Sequence, residues 1–397
     1  MTANTIGSGV LFSRAEYLRR IEAAKRRMLD GGIDLLLVTV PENINYLCGY
    51  AGWSFYTPQA LFLHAEAEEP ILVVREMDVA CADVSTFLRP EHQVGYPEKY
   101  IGTPELHPMQ FIADLIRARG WGRLTLGVEK GAAFFTVRSY EILNAVLPEA
   151  RLKDAELLVT WVRIVKSDAE IAIMRQAGVL AGCAMRAAID AIAPGVRQCD
   201  AAAALYRAQL RGTHEFGGSV PNSVLMPAGP KTRAPHLKWT DEPYRTGESV
   251  NIELSGSKHQ YHVALSRTVS IGAPPPGLAR LADVVKEGLN AALAAVRPGA
   301  RCEDVAAAWT RTINRHGYSK KSRIGYSLGL CFQPTWVERT ASLQEGDRTE
   351  LLPNMTFHLM CGMWEGDCNL VMSESFMVTA GGHALLTYFP QQLFVKD

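Results

Sequence analysis

The spacing of apolar positions divides the chain into two parts with different rhythms. A capping-box pattern from Ser13 to Glu16 opens an amphipathic run that stops at Gly31, and a buried strand is predicted directly after it. Further strands and one helix continue the alternation, with strands at 33–39, 61–64, 71–75 and 124–129 and the helix at 107–119. This alternation is typical of an α/β domain, which we expect over residues 1–158.

A second capping box, Ser167 to Glu170, begins a long helix that is predicted to end before Pro194. Beyond it the order changes to pairs of strands with helices between the pairs. The strands are predicted at 249–256, 262–271, 355–361 and 370–379, and the helices at 277–296 and 302–316. Antiparallel hairpins grouped with helices indicate an α+β domain, expected over residues 159–397.

Composition excludes several classes of protein. The 397 residues carry 41 basic and 41 acidic side chains, so no net charge draws the chain to nucleic acid or to an anionic membrane. No apolar run reaches the roughly 18 residues of a spanning helix, and the first residues lack the order of a secretory signal. The eight cysteines show no C-x-x-C and no zinc-finger spacing. We therefore expect a cytoplasmic protein with reduced thiols.

Two residues are candidates for acid–base chemistry. Glu253 lies inside an apolar strand, where a carboxylate must find partners or shift its pKa; the alternative is a solvent-facing Glu on an edge strand. His236 lies in a loop between Pro235 and Trp239, which suits a proton shuttle or a substrate ligand. The alternative for His236 is an ordinary surface histidine.

Other candidates are weaker when each is taken alone. His262, His358 and Glu374 lie inside predicted strands, where such residues are more often structural. Trp53, Phe55 and Tyr56 form an aromatic segment that suits either a platform for a flat or cationic ligand or plain core packing.

The order of these motifs resembles the creatinase, prolidase and methionine aminopeptidase superfamily. Residues 43–50 are similar to its N-domain strand-loop, and 163–170 to the segment that enters its catalytic "pita-bread" half. His236 falls on the family's active-site loop histidine, and 266–268 on the end of a strand hairpin. The resemblance covers almost the whole chain. It implies an N-terminal α/β creatinase-like domain followed by a pita-bread catalytic domain, α+β overall.

The metallopeptidases of this superfamily bind two metals through Asp, Asp, His, Glu and Glu. By resemblance, those positions hold Glu253, Ala264, Tyr326, Met360 and Ser373 here, with Glu374 adjacent if the register slips by one. Alanine, methionine and neutral tyrosine cannot supply the oxygen and imidazole ligands that such metals need. The resemblance therefore implies the metal-free branch, which includes creatinase, with no metal and no other cofactor.

Within that branch the chain most resembles the ectoine hydrolases. The similarity is distributed over 52–56, 234–239, 261–268, 325–326, 338–343, 355–358 and 389–396. It implies a hydrolase that opens the cyclic amidine ring of ectoine, or of hydroxyectoine, to an N-acetyl-diaminobutyrate. Val371 departs from the pattern because it stands where those hydrolases carry a carboxylate, and this bears on the substrate.

The resemblance also implies roles for individual residues. Glu253 acts as nucleophile or as general base toward water, and His236 transfers a proton to the departing nitrogen. The substrate or water is held by Tyr326 and Glu374, the substrate carboxylate by Arg339, the ring by Trp53, Phe55 and Tyr56, and the remaining substrate contacts by His262 and His358. The family forms homodimers in which the N-domain loop reaches the neighbouring active site.

Three other functions stay open. A creatinase-like enzyme acting on a guanidino acid is disfavoured, because creatinases carry carboxylates where this chain has Ser266 and Met360. An inactive pita-bread domain used for binding is disfavoured by the lack of a long acidic tail. A metallopeptidase with an unusual ligand set would contain stoichiometric metal when the protein is purified without chelator.

Overall fold

The computed structural model describes residues 9–397. The chain forms two compact units that meet between Arg163 and Ile164. The expected boundary after residue 158 lies five residues earlier. The difference arises because the short helix Leu158–Val162 packs against the first helix, Arg14–Asp30, and so belongs to the N-terminal unit.

The N-terminal unit alternates helices and strands as the apolar pattern predicts. Its helices are α1 Arg14–Asp30, α2 Pro41–Cys48, α3 Val79–Ser85, α4 Pro108–Ala118, α5 Val137–Val146 and α6 Leu158–Val162. Its strands are β1 Leu35–Val38, β2 Ala60–His64, β3 Ile71–Arg75, β4 Gln93–Tyr96, β5 Thr125–Val128 and β6 Arg151–Asp154. The predicted cap is present, because the Ser13 side chain accepts a hydrogen bond from the Glu16 backbone N–H.

The six strands form one mixed sheet in the order β4-β3-β2-β1-β5-β6. Strands β1 and β5 are parallel, whereas β1 and β2 are antiparallel, and apolar side chains of the sheet share a core with α4 and α5. The strand-loop expected at 43–50 is wrong: most of it is α2, which begins at Pro41 and ends before Gly49 in the left-handed conformation.

The C-terminal unit contains four helices and ten strands. The helices are α7 Asp168–Ala191, α8 Gln198–Arg211, α9 Pro276–Ala295 and α10 Cys302–Arg315. The strands are β7 Ser249–Lys258, β8 Tyr261–Ile271, β9 Gly325–Leu328, β10 Val337–Ser342, β11 Thr356–Met360, β12 Met363–Glu365, β13 Cys368–Leu370, β14 Ser373–Thr379, β15 Gly382–Leu385 and β16 Phe394–Lys396. No helix within residues 9–397 has the length and apolar character to cross a bilayer.

The hairpin of β7 and β8 has two chemically different faces. Val250, Ile252 and Leu254 point to one face, where they share a core with α7 and α8. The opposite face is polar although it is buried, and it carries Asn251, Glu253, Ser255, Ser257, His262, Ser266 and Thr268. A buried polar face needs partners, so this face is the first place to look for a site.

Close backbone packing holds this hairpin against α7. A Cβ atom on Gly256 of β7 would lie 1.9 Å from the backbone oxygen of Ala177. A Cβ atom on Gly178 of α7 would lie at the same distance from the Leu386 backbone oxygen. Glycine at both positions lets the helix come close to the strands. This close packing holds the hairpin whose polar face carries Glu253.

A second sheet, in the order β10-β9-β11-β14-β15, lies beside the hairpin. Its β14 is tied to β8 by side-chain bonds: the Ser266 backbone N–H donates to Ser373 Oγ, and Ser375 Oγ donates to the Ala264 carbonyl. Because Ser373 and Ser375 share one face of β14, that face is turned toward β8. The cross-strand partners of these residues, Met360 and His358, lie on the same face.

Candidate active site

Glu253 is the central titratable group of the polar face. Its backbone exchanges two 2.9 Å hydrogen bonds with Leu225, and the residue is 8% exposed. Among residues 9–397, no hydrogen bond or ion pair reaches its carboxylate. Burial raises the pKa of this carboxyl to about 7, and the Lys320 ammonium opposes that rise. A buried carboxylate without a protein partner is expensive, and such groups are typical of functional sites.

Other polar groups near Glu253 also lack partners. The Ser266 side chain lies directly across the hairpin from Glu253, and Asn251 is two residues away on the same face. Ser266 Oγ, Asn251 Nδ2 and His358 Nε2 are all buried without a hydrogen-bond partner among the described residues. Unsatisfied buried groups in one region indicate a place where a ligand or water supplies the missing bonds.

A chain of hydrogen bonds sets the protonation of His358. The Trp336 Nε1–H donates to Tyr326 Oη at 2.9 Å, and Tyr326 Oη lies 3.0 Å from His358 Nδ1. Because an indole only donates, the tyrosine oxygen accepts from Trp336 and turns its own proton toward Nδ1. Burial lowers the pKa of His358 to about 3. The imidazole is therefore neutral, and we assign its proton to Nε2, which has no partner within residues 9–397.

Tyr326 belongs to the same electrostatic environment as Glu253. Burial raises the pKa of the Tyr326 phenol, and the Glu253 charge raises it further. Tyr326 is paired with His358 across β9 and β11. The structure thus brings together three of the predicted site residues: Glu253, Tyr326 and His358.

His262 has a different environment from the one expected. Its Nε2 donates to the Cys331 carbonyl at 3.1 Å, and its Nδ1 accepts from Ser255 Oγ at 3.0 Å. Burial lowers the pKa of this neutral ring to about 4. Both ring nitrogens are engaged within the protein, so the substrate-binding role expected for His262 is replaced by a structural one at the end of the hairpin.

Glu374 lies on the wrong face of β14 for the expected role. It is paired with Leu359, whereas the preceding Ser373 is paired with Met360 on the face turned toward β8. One oxygen of Glu374 accepts from Arg267 Nη2 at 2.5 Å and the other accepts from Thr387. Burial raises the pKa of this carboxyl, and the Arg267 guanidinium opposes the rise. We therefore assign Glu374 to a buried ion pair and not to the substrate.

His236 and Arg339 are exposed, and neither forms a hydrogen bond or an ion pair with Glu253. The Met226 N–H donates to the Leu237 carbonyl beside His236, and Met226 adjoins Leu225, the backbone partner of Glu253. The backbone of the loop is thus bonded to the segment that pairs with the strand of Glu253. Arg339 lies at an irregularity of β10 with a left-handed backbone, φ 56°. Such strain in a non-glycine residue is often kept at functional sites.

The aromatic segment lies in the N-terminal unit, on the loop between α2 and β2. Trp53 and Tyr56 are 48% and 73% exposed, and the Phe55 ring packs edge-on against both Trp53 and Phe134. The segment is therefore only partly used for packing within its own unit. Two large exposed aromatic side chains on a loop suit contact with a ligand or another chain.

The residues at the five metal-ligand positions do not fit a dinuclear metal site. Glu253 and Ala264 share the polar face of the hairpin, and Met360 and Ser373 share the facing side of the second sheet. With Tyr326, the set contains one carboxylate and no imidazole. No cluster of three or more His, Cys, Asp or Glu within residues 9–397 is arranged to hold a metal. The donor chemistry of this site therefore differs from that of a dinuclear metallopeptidase.

Lys320 was missed by sequence reasoning. It lies between α10 and β9 in a polar stretch that includes Lys321 and Arg323, which has the pattern of a solvated loop. No local signal separates Lys320 from Lys321. Only the fold shows that the Lys320 ammonium acts on the Glu253 carboxyl.

Two family matches cover most of the chain. Residues 20–165 match the creatinase/prolidase N-terminal domain, and residues 172–380 match metallopeptidase family M24. The chain therefore belongs to metallopeptidase family M24, a family of hydrolases, in the form that carries a creatinase/prolidase N-terminal domain. The predicted fold class is confirmed.

Two individual proteins are similar to this chain over almost its whole length. The chain is 38% identical to the ectoine hydrolase of Halomonas elongata, over 97% of this chain and 98% of the relative. It is 46% identical to y4tM of Sinorhizobium fredii, described as an uncharacterized hydrolase/peptidase, over 97% and 99% of the two chains. The enzyme class expected from the sequence, a hydrolase similar to ectoine hydrolase, agrees with these relatives.

Solved structures show the same fold. Dipeptidase PepE from Mycobacterium ulcerans superposes with a TM-score of 0.80 at 23% identity, over 97% of this chain and 99% of that one. The Xaa-Pro dipeptidase from Bacillus anthracis superposes with a TM-score of 0.81 at 19% identity, over 96% and 99%. At these identities the likeness concerns the fold alone.

Proposed function

We propose that this protein hydrolyses ectoine, or a close cyclic amidine such as hydroxyectoine, to an N-acetyl-diaminobutyrate without a catalytic metal. The observation that carries the proposal is Glu253, whose buried carboxylate has no protein partner among residues 9–397. The other side chains at the ligand positions implied by the resemblance are poor ligands for a hard metal ion. The identity to an ectoine hydrolase over nearly the whole chain supports the same substrate class.

The charge of the substrate suits this site. Ectoine combines a cyclic amidinium with a carboxylate, so its cationic ring would give Glu253 the partner that the protein does not supply. Bringing opposite charges together in a buried pocket offsets much of the cost of keeping each one out of water. A neutral peptide bond would leave that cost in place.

Hydrolysis would begin with attack on the carbon between the two ring nitrogens. Glu253 either attacks that carbon itself or takes a proton from a water molecule that attacks it. A C–O bond forms, one ring C–N bond breaks, and the departing nitrogen receives a proton, for which we propose His236. If Glu253 attacks, the covalent species is an acyl imidate, and water then cleaves it to release the N-acetyl product and restore the Glu253 carboxylate. Either route adds one water molecule to the substrate.

We give His358 a separate role from His236. A ring whose pKa is about 3 stays neutral and cannot serve as the proton donor to an amine near pH 7. Its Nε2–H can donate a hydrogen bond to a substrate oxygen or to the attacking water, with Trp336 and Tyr326 holding the ring in that state. Trp53, Phe55 and Tyr56 would cover the amidine ring from the neighbouring subunit of a homodimer. The cytoplasmic location stays a prediction.

Proton NMR of the purified protein with ectoine tests the proposal. We expect ring opening at the same rate with and without EDTA, and no turnover by Glu253→Gln, whose shape and fold are retained. The product isomer identifies the bond that is cut. Turnover abolished by EDTA and restored by manganese, cobalt or zinc would contradict the metal-free mechanism. If the protein does not react with ectoine or hydroxyectoine but turns over creatine, its substrate is a guanidino acid and not a cyclic amidine.

A further inference from the structure

Lys320 is held in a fixed position beside the site. Its Nζ donates to the Gly362 carbonyl at 2.6 Å and lies 5.3 Å from the centre of the Trp364 ring. The Trp364 indole in turn donates to the Thr232 carbonyl at 3.1 Å, four residues before His236. Lys320 is thus tied between the end of β11 and the loop that carries His236.

The Lys320 ammonium and the Glu253 carboxylate are close enough for each charge to act on the other. Burial lowers the pKa of Lys320, and the Glu253 carboxylate opposes this. Lys320 likewise opposes the rise in the pKa of Glu253. Within the described part of the chain the two side chains form no ion pair, since neither takes part in one. The buried anion and the partly buried cation are therefore near each other without a direct bond between them.

The ammonium retains capacity for a ligand. A lysine ammonium has three donors, and the carbonyl of Gly362 accepts one of them. The Trp364 ring face offers a cation–π contact, which orients the charge without using a hydrogen-bond acceptor. Two N–H donors are left for an anionic group, and a hydrogen bond to a carboxylate is among the stronger ones available to a protein.

We infer that Lys320 is the specificity-determining residue that binds the carboxylate of the substrate while Glu253 faces its amidinium. The inference rests on the proposed function. The ligand class is a small zwitterion whose cationic and anionic groups are about one ring apart. A cation and an anion that are near each other but not bonded to each other would fix the orientation of such a ligand as well as its affinity.

Arg339, the carboxylate partner expected from the sequence, is less suited to this role. It is exposed, and solvent screens an exposed charge far more than a buried one. Arg323 is exposed as well, and its guanidinium stacks over the Tyr326 ring at 4.6 Å while it donates to Ser342. Of these cations, Lys320 is the one whose charge shifts the pKa of Glu253.

The test compares two substrates that differ only in the carboxylate: ectoine and 2-methyl-1,4,5,6-tetrahydropyrimidine. We expect Lys320→Met to lower kcat/KM for ectoine by roughly 10- to 100-fold, the effect of a lost charge-assisted hydrogen bond. The same variant should change kcat/KM for the carboxylate-free ring much less. Because any effect of Lys320 on the pKa of Glu253 acts on both substrates, the ratio of the two values isolates the carboxylate contact.

Controls separate this contact from general damage. Lys321→Met removes an exposed neighbouring charge and should leave the substrate ratio unchanged. Lys320→Arg should recover part of the discrimination. If Lys320→Met folds poorly, Lys320→Gln and calorimetric titration of both compounds into Glu253→Gln and Glu253→Gln/Lys320→Gln give the same comparison by affinity.

The outcomes are distinct. Discrimination lost in Lys320→Met and kept in Lys321→Met supports the inference. If Lys320→Met loses equal activity on both substrates while the wild-type protein turns over ectoine, the role of Lys320 is overturned and the proposed function stands. If the wild-type protein neither binds nor turns over ectoine, the proposed function fails and the inference fails with it.

Discussion

Glu253 is kept at a cost to the fold. Glu253 is a buried carboxyl on a strand where an apolar side chain would be buried at less cost. Its neighbours in the strand, Ile252 and Leu254, are apolar and fully buried. Its raised pKa means that ionising it is harder in the folded protein than in the unfolded chain. A pKa this close to 7 also suits a carboxyl group that must act as base or nucleophile near pH 7.

This cost makes the stability of the protein depend on pH. The pKa of Glu253 is about 7 in the fold against 4.5 for the unperturbed group, so the stabilising contribution is complete below pH 4.5 and is lost as pH rises through 7. Glu253→Gln removes this pH-dependent loss of stability, because glutamine does not ionise. Relative to wild type, we expect the variant to gain up to about 3 kcal/mol in unfolding free energy between pH 4 and pH 8.

Urea unfolding of both proteins at the two pH values measures this difference. Asp and Glu residues elsewhere contribute equally to both proteins and cancel in the comparison. A difference in unfolding free energy that does not change with pH would show that Glu253 has an ordinary pKa in the fold.

At the scale of the element, a strand presents two faces and each face has its own chemistry. The face of β14 with Ser373 and Ser375 is bonded to β8, whereas Glu374 meets Arg267 on the other side. Arg267 also donates to the carbonyls of Ser266, Ser373, Phe389 and Pro390. The pair therefore joins β8, β14 and the C-terminal segment, and its function is to hold the strands of the site together.

Glu374→Gln tests that assignment. The substitution keeps the shape of the side chain but leaves the buried Arg267 charge without its anion, so we expect a loss of about 3–5 kcal/mol in unfolding free energy. We expect kcat per folded molecule to stay within a few-fold of wild type, measured under conditions where the variant is folded. Normal stability together with abolished turnover would return Glu374 to the catalytic residues.

At the scale of the whole molecule, the proposed homodimer gives the aromatic loop of the N-terminal unit a role. Trp53 and Tyr56 present large exposed aromatic surfaces on their loop. In a symmetric homodimer, a loop that reaches the neighbouring active site would do so twice, once in each direction. The predicted dimer therefore has a functional consequence that a monomer lacks.

Complementation between two impaired variants measures this consequence. Trp53→Ala and Glu253→Gln are each expected to be poorly active alone. Co-expression with two different tags yields heterodimers in which one site combines an intact Glu253 with an intact Trp53 from the neighbour. We expect purified heterodimers to regain activity. Heterodimers as inactive as the parents, or a monomer by light scattering, would contradict the shared site.

Local patterns in the sequence were sufficient for the larger elements. Capping residues located the starts of α1 and α7, and alternation located β7, β8, β11 and β14 within a few residues. Helix α8 was not predicted, and its N-cap, Arg197, makes no side-chain cap bond. The strands β9, β12, β13, β15 and β16 have only three or four residues, too few for a period of two to be recognised. Strand β10 is longer, but it contains an irregularity between Val337 and Ser342.

The sequence by itself determined which elements form and that Glu253 lies on a buried strand, because these depend on neighbours a few residues apart. Only the tertiary structure decided that Ser373 and not Glu374 faces the site, that His262 is fully hydrogen-bonded, and that Lys320 rather than Lys321 acts on Glu253. The physical reason is that strand register and the burial of a charge depend on residues distant in sequence. For Glu374 the deciding partner, Arg267, lies 107 positions away.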